Sequence, residues 1–147
     1  MATVNVYLQF EGNCEVAFNF YKKVFGGEFS YIARYTDMPS QEDVPPVREE
    51  DKDKILHISL PISEETSIMG SDHLESWGAP VVTGNNFSLS VDVGTRQEAD
   101  RIFNELSKDG KVIMQMDQTF WGAYYGSFTD KFGINWMVSA EIEEEGS

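Results

Sequence analysis

NVYLQFEGNCEVAFNFYKKVFGGE, Asn5 to Glu28, decides how the rest of the chain is read, because the sequence says it a second time in altered form. The echo is NNFSLSVDVGTRQEADRIFNELSKDGKV, Asn85 to Val112, where a polar-apolar alternation again leads through a short turn into a helical pattern ending at glycine. A shift of about 81 to 83 positions pairs Asn5 with Asn86, Leu8 with Leu89, Ala17 with Ala99, Tyr21 with Phe103 and Gly27 with Gly110. Agreement in both period and punctuation points to two copies of one supersecondary unit.

In the first copy, Val4, Val6, Leu8 and Phe10 alternate with Asn5, Tyr7 and Gln9, a strand with one apolar and one polar face. Asn13 is placed to cap a helix whose stripe is Ala17, Tyr21, Val24 and Phe25, and Gly26 and Gly27 stop it. Glu28 to Thr36 reads as a strand. Met38 to Lys54 has three prolines, dense charge and no period, and reads as a long loop: a solvated excursion, or a lid over a cavity. Ile55 to Ile62 alternates again, with His57 and Ser59 opposite Ile58 and Leu60; Thr66 to Gly70 is a short strand, and Ser71 to Gly84 a connection.

The second copy opens with Phe87, Leu89, Val91 and Val93 against Asn86, Ser88 and Ser90. Thr95 to Glu98 has the capping-box form, ahead of a helical stripe of Ala99, Ile102, Phe103 and Leu106. Strands follow at Val112 to Met116, Tyr124 to Thr129 and Ile134 to Ala140, the last reached through a type I turn at Asp130 to Gly133, and the tail from Glu141 reads as frayed. The expected class is α+β, one domain over 1–147 with modules at about 3–72 and 85–141.

Composition excludes several functions. A formal net charge of −14 repels phosphate backbones and anionic membranes, so nucleic acid and membrane are not expected partners. No run approaches the roughly 18 apolar residues of a spanning helix, and the start lacks a basic leader, so a cytoplasmic location is expected. The single Cys14 rules out an internal disulfide; near a helix start its thiol is either activated by the dipole or simply packed. Walker, G-x-S-x-G, H-E-x-x-H and dinucleotide-binding patterns do not occur.

The strand faces opposite the helical stripes carry Asn5, Tyr7, Gln9, His57, Ser59, Asn86, Ser88 and Met137, with Trp121, Tyr124 and Tyr125 available as aromatic walls. Polar groups converging among aromatics suit a small-molecule cavity; an ordinary wet sheet face has the same period. Trp136 shares the parity of Ile134 and Val138 and is expected in the core.

Three blocks, GNCEVAFNFYKKVFGGE (Gly12 to Glu28), DKILHISLPI (Asp53 to Ile62) and FWGAYYGSFTDKFGINWMV (Phe120 to Val138), resemble the PhnB-like branch of the glyoxalase, bleomycin-resistance and dioxygenase group, the vicinal oxygen chelate superfamily. The resemblance implies two βαβββ modules forming a cup-shaped mixed sheet with helices on the outer face, within a homodimer. It also implies one metal ligand on each of four strands, which fall here at Asn5, His57, Asn86 and Met137. Only His57 is a competent ligand for a divalent ion, and a catalytic metal site normally needs three. His73, beside Asp72 and Glu75, is the one other histidine. The expectation is a protein that binds a small organic molecule with no tightly bound cofactor or metal; the alternative is a divalent-metal-dependent lyase, isomerase or dioxygenase centred on His57.

Overall fold

A computed structural model describes residues 2–39 and 42–141. Ser40 and Gln41 of the long loop, and all of the acidic tail after Glu141, lie outside the described residues. The chain divides between Val82 and Thr83 into two compact units.

The first unit contains β1 (Val6–Phe10), α1 (Cys14–Phe25), β2 (Tyr31–Arg34), β3 (Ile55–Pro61) and β4 (Ser67–Asp72). Its sheet has the order β1-β4-β3-β2, with β1 parallel to β4 and the other pairs antiparallel. This is one strand, one helix and three strands, as the alternation predicts. Leu8, Phe10, Ile58, Leu60 and Ile68 are buried beneath Ala17, Phe18, Tyr21 and Val24 of α1. Gly70 makes that packing possible: a Cβ there would stand 2.7 Å from Phe18 Cε1 and 2.9 Å from the Leu8 carbonyl oxygen.

The helix start departs from expectation. Asn13 makes no side-chain cap. Its role falls to Asp72, whose Oδ1 accepts the Gly12 and Cys14 N–H groups at 2.9 Å each, while Oδ2 accepts the Ile55 N–H at 2.9 Å. Tyr35 donates its hydroxyl to the Asp72 carbonyl at 2.7 Å. The strand read as ending at Gly70 therefore runs two residues further, because its last side chain is spent on three backbone donors. Cys14 is fully buried, and burial with Asp72 nearby pushes its thiol pKa up, so the packed reading stands and the activated one falls. Around the long loop, Glu28 to Thr36 gives strand only at Tyr31–Arg34 before a 3-10 turn at Tyr35–Asp37, and Trp77 pins the loop by donating its indole N–H to the Pro45 carbonyl at 3.2 Å.

The second unit contains β5 (Leu89–Val93), α2 (Arg96–Leu106), β6 (Lys111–Gln118), β7 (Ala123–Thr129) and β8 (Asn135–Glu141), in the order β5-β8-β7-β6. β5 is parallel to β8 and begins at Leu89, leaving Phe87 62% exposed ahead of it. Thr95 Oγ1 accepts the Glu98 N–H at 3.1 Å, but Glu98 turns to Arg101 and leaves the capping box half made. The type I turn forms, Gly133 N–H donating to the Asp130 carbonyl at 3.0 Å, and Trp136 is buried as its parity requires. Among the described residues no helix is long and apolar enough to cross a membrane.

Asp72→Asn puts an amide NH₂ against a backbone donor and strands at least one buried N–H; chemical denaturation is expected to show a loss of about 2 kcal/mol. Cys14 is expected to react with an aromatic disulfide reagent only as fast as the fold opens, so its labelling rate should rise steeply with denaturant.

Candidate functional site

The face of the first sheet turned away from α1 is set by register. Tyr7, Met69, Ser59 and Tyr31 stand in one row across all four strands, flanked by Gln9 opposite Ser71 and by His57 opposite Ala33. Pro61 opposite Ser67 closes the far end. None of these side chains carries a formal charge, although 24% of the chain is Asp, Glu, Lys or Arg.

His57 lies beside the row, between its two tyrosines. Its ring lies 5.6 Å from the ring of Tyr7 and 5.6 Å from that of Tyr31, tilted by 31° and 51°. Nδ1 is 3.4 Å from the Tyr7 hydroxyl. Tyr7 is 47% exposed and Tyr31 56% exposed, so two large, partly exposed residues flank a half-buried imidazole. Chemically the cluster offers flat apolar surface, two phenolic hydroxyls and one imidazole able to donate or accept a hydrogen bond.

Of the predicted residues, Tyr7, Gln9, His57 and Ser59 share this face. Asn5 lies ahead of β1 and is exposed. Tyr31 and Met69 were not among the sequence candidates. The stretch EFSYIARYT has no clean alternation, so only its pairing with β3 reveals which of its residues join His57.

In the second unit, Asn86 and Ser88 precede β5 and are exposed, because the strand begins one residue after Ser88. Met137 stands opposite Ser90 and Ser127 on the face away from α2. Trp121 is 61% exposed and packs on Phe120 and Tyr125 at 5.0 and 6.1 Å. Tyr124 leaves the expected wall for the helix side: its hydroxyl donates to Asp100 at 2.6 Å, and the Arg96 guanidinium lies 4.3 Å over its ring. Charge returns to this second face at Asp92, which accepts the Ser139 hydroxyl.

The four positions that the family resemblance offers a metal do not fit one. Asn5 and Asn86 lie outside strands, Met137 brings a thioether, and the side chains nearest His57 are phenols. Among the described residues no group of three or more His, Cys, Asp or Glu is disposed to hold a metal ion. His73 spends Nε2 on the Gly78 carbonyl at 3.3 Å, so the site suggested beside Asp72 and Glu75 does not assemble.

Comparison with known proteins places this arrangement. The family model described as 3-demethylubiquinone-9 3-methyltransferase matches residues 2–139. Protein YjdN of Escherichia coli (strain K12) is 33% identical over 138 residues, 90% of this chain and 91% of that one. Protein PA1353 from Pseudomonas aeruginosa has a crystal structure that superposes with a TM-score of 0.82 at 35% identity, covering 97% of this chain and all (100%) of that one. A putative 3-demethylubiquinone-9 3-methyltransferase, PhnB protein, from Bacillus cereus gives 0.73 at 25% identity, over 95% and 99% of the two chains. At 15% identity and a TM-score of 0.59, a glyoxalase/bleomycin resistance protein/dioxygenase family enzyme from Burkholderia phytofirmans PsJN shares the fold. With two βαβββ units, matches along almost its whole length and these relatives, the chain belongs to the PhnB-like family whose model is described as 3-demethylubiquinone-9 3-methyltransferase, and it shares its fold with glyoxalase/bleomycin resistance protein/dioxygenase enzymes.

Proposed function

We propose that this protein binds a small organic molecule on the uncharged face of its first sheet, with Tyr7, His57 and Tyr31 as the main contacts and Ser59 and Gln9 as polar guides. The observation that carries the reading is the exposure of two tyrosine rings, 47% and 56%, on a sheet face free of charge in an otherwise acidic chain. A core face would bury those rings, and a face meant only for water has no need of them. Flat, amphipathic side chains that lose little entropy on contact suit an aromatic or heterocyclic ligand.

Binding in this reading requires no resident metal and takes place in the cytoplasm. Methyl transfer, named in the family's description, is not part of it. β1 passes to α1 through Glu11-Gly12-Asn13, and β5 to α2 through Gly94-Thr95, without the glycine-rich turn that cradles a nucleotide-bearing donor.

A panel of small metabolites screened by thermal shift tests the proposal. A true ligand at 100 times its Kd stabilises by about 2.7 kcal/mol. Tyr31→Ala is expected to weaken it about tenfold, close to 1.4 kcal/mol, while Tyr124→Phe on the helix side leaves affinity unchanged. Prior chelation is expected to have no effect. Stoichiometric metal that is lost together with binding in His57→Ala would overturn the reading in favour of a metal-dependent enzyme.

Self-association as a homodimer completes the proposal. It is supported by edge strand β6, where Val112, Ile113 and Met114 are 37%, 58% and 52% exposed, and by Phe120 and Trp121 beyond it. Sedimentation equilibrium is expected to give twice the chain mass of 16.6 kDa, and Ile113→Lys to return the protein to one chain mass.

A further inference from the structure

A hollow in the first unit lies away from the row of tyrosines. β1 and β4 run parallel with Phe10 opposite Asp72, so the next residues, Glu11 and His73, emerge side by side at the same end of the sheet. The chain ties them there, His73 N–H donating to the Phe10 carbonyl at 2.6 Å. Lys54 joins them because the following residue, Ile55, is held by Asp72 at that end. The 3-10 turn at Glu75–Trp77 and the stretch to Pro80 fold over this end, anchored where Val81 N–H donates to Glu11 Oε1 at 2.6 Å. Between them is a pocket of about 390 Å³ lined by Glu11, Lys54, His73, Glu75, Gly78 and Pro80.

The lining is of mixed sign. Lys54 Nζ is held at 2.7 Å by Asp51, whose side chain is 5% exposed, which uses one of its three N–H donors and fixes the ammonium in place. A Cβ on Gly12 would touch the Lys54 stem at 3.5 Å, and one on Gly78 the His73 ring at 3.8 Å, so backbone glycines border both groups. Glu11 commits one oxygen to Val81, and Glu75 is exposed. The acids and the imidazole do not converge as a metal would require, which leaves separated charges across a space large enough for several heavy atoms.

We propose that this pocket binds a small zwitterion with separated ends: its carboxylate on the free N–H groups of Lys54, its ammonium on Glu75 and the second oxygen of Glu11. A ligand with both charges satisfies the site, whereas an amine alone leaves the Lys54 N–H groups not used by Asp51 without a ligand acceptor and a carboxylate alone meets two acids.

The experiment titrates the full chain with 4-aminobutyrate and, as half-ligands, with butylamine and butyrate, following assigned His57 and His73 ring resonances by NMR. The expected result is a saturable shift at His73 with His57 unmoved, and a Kd at least tenfold below that of either half-ligand. Glu75→Gln, an exposed change that leaves the fold intact, is expected to raise the Kd about tenfold, and Lys54→Met to do the same. A linear, unsaturated response, or butylamine binding as tightly as 4-aminobutyrate, overturns the proposal. Because the tyrosine row is read at His57 and this pocket at His73, failure of either site is distinguishable from failure of the other.

Discussion

Three backbone N–H groups meeting one buried carboxylate organise the first unit. Asp72 is 1% exposed, a position where an unsatisfied carboxylate would be expensive. The donors that satisfy it come from the β1-α1 turn and from the head of β3. One side chain thus fixes where the helix starts, where β3 begins and how far β4 runs. Strand register follows, and with it the row that sets Tyr7, Ser59 and Tyr31 around His57.

The second unit uses the same device elsewhere. Asp130, 3% exposed, accepts the Phe132 and Ile134 N–H groups with Oδ1 and the Trp136 indole N–H with Oδ2. It ties a β-turn to the largest core side chain, where Asp72 ties a helix start to a strand. Glycine shows a similar divergence. Gly27, in its echo position, needs a φ of 82°, whereas its counterpart Gly110 is kept small by the Thr129 carbonyl, and the left-handed residue is Asp109 with a φ of 61°. The repeat preserves elements and punctuation while the contacts that enforce them have changed.

That difference explains what was legible in the sequence. Both helices and the parity of Trp136 follow from periodicity, because burial selects side chains at fixed spacing, and the turn at Asp130 follows from its Asp-first, Gly-last form. That Tyr7, Gln9, His57 and Ser59 share one face was legible for the same reason. Asp72 was hidden in a segment read as connection, since a lone acid beside His73 carries no periodic signal and only folding reveals its donors. Tyr31 was missed because β2 faces are set by β3 and a register shift after Ala33. Asn86 and Ser88 were misplaced because alternation continues past the point where β5 stops pairing, and Tyr124 because Asp100 and Arg96 of α2 claim it.

The helix-facing and open surfaces of these sheets answer to different constraints. A larger residue at Gly70 or Gly126 meets an aromatic ring of the overlying helix, 2.7 Å from Phe18 or 2.9 Å from Phe103, so the covered side tolerates little change. Nothing in that packing dictates Tyr7, His57 or Tyr31, whose rings contribute little to the core they stand behind. A fold shared at 15% identity is therefore expected to retain the covered side and to vary the open one, which is why a shared fold carries the architecture and leaves the chemistry to the residues of each open face. In this chain that face carries no formal charge and leaves Tyr7 and Tyr31 about half exposed, an arrangement that core stability does not require.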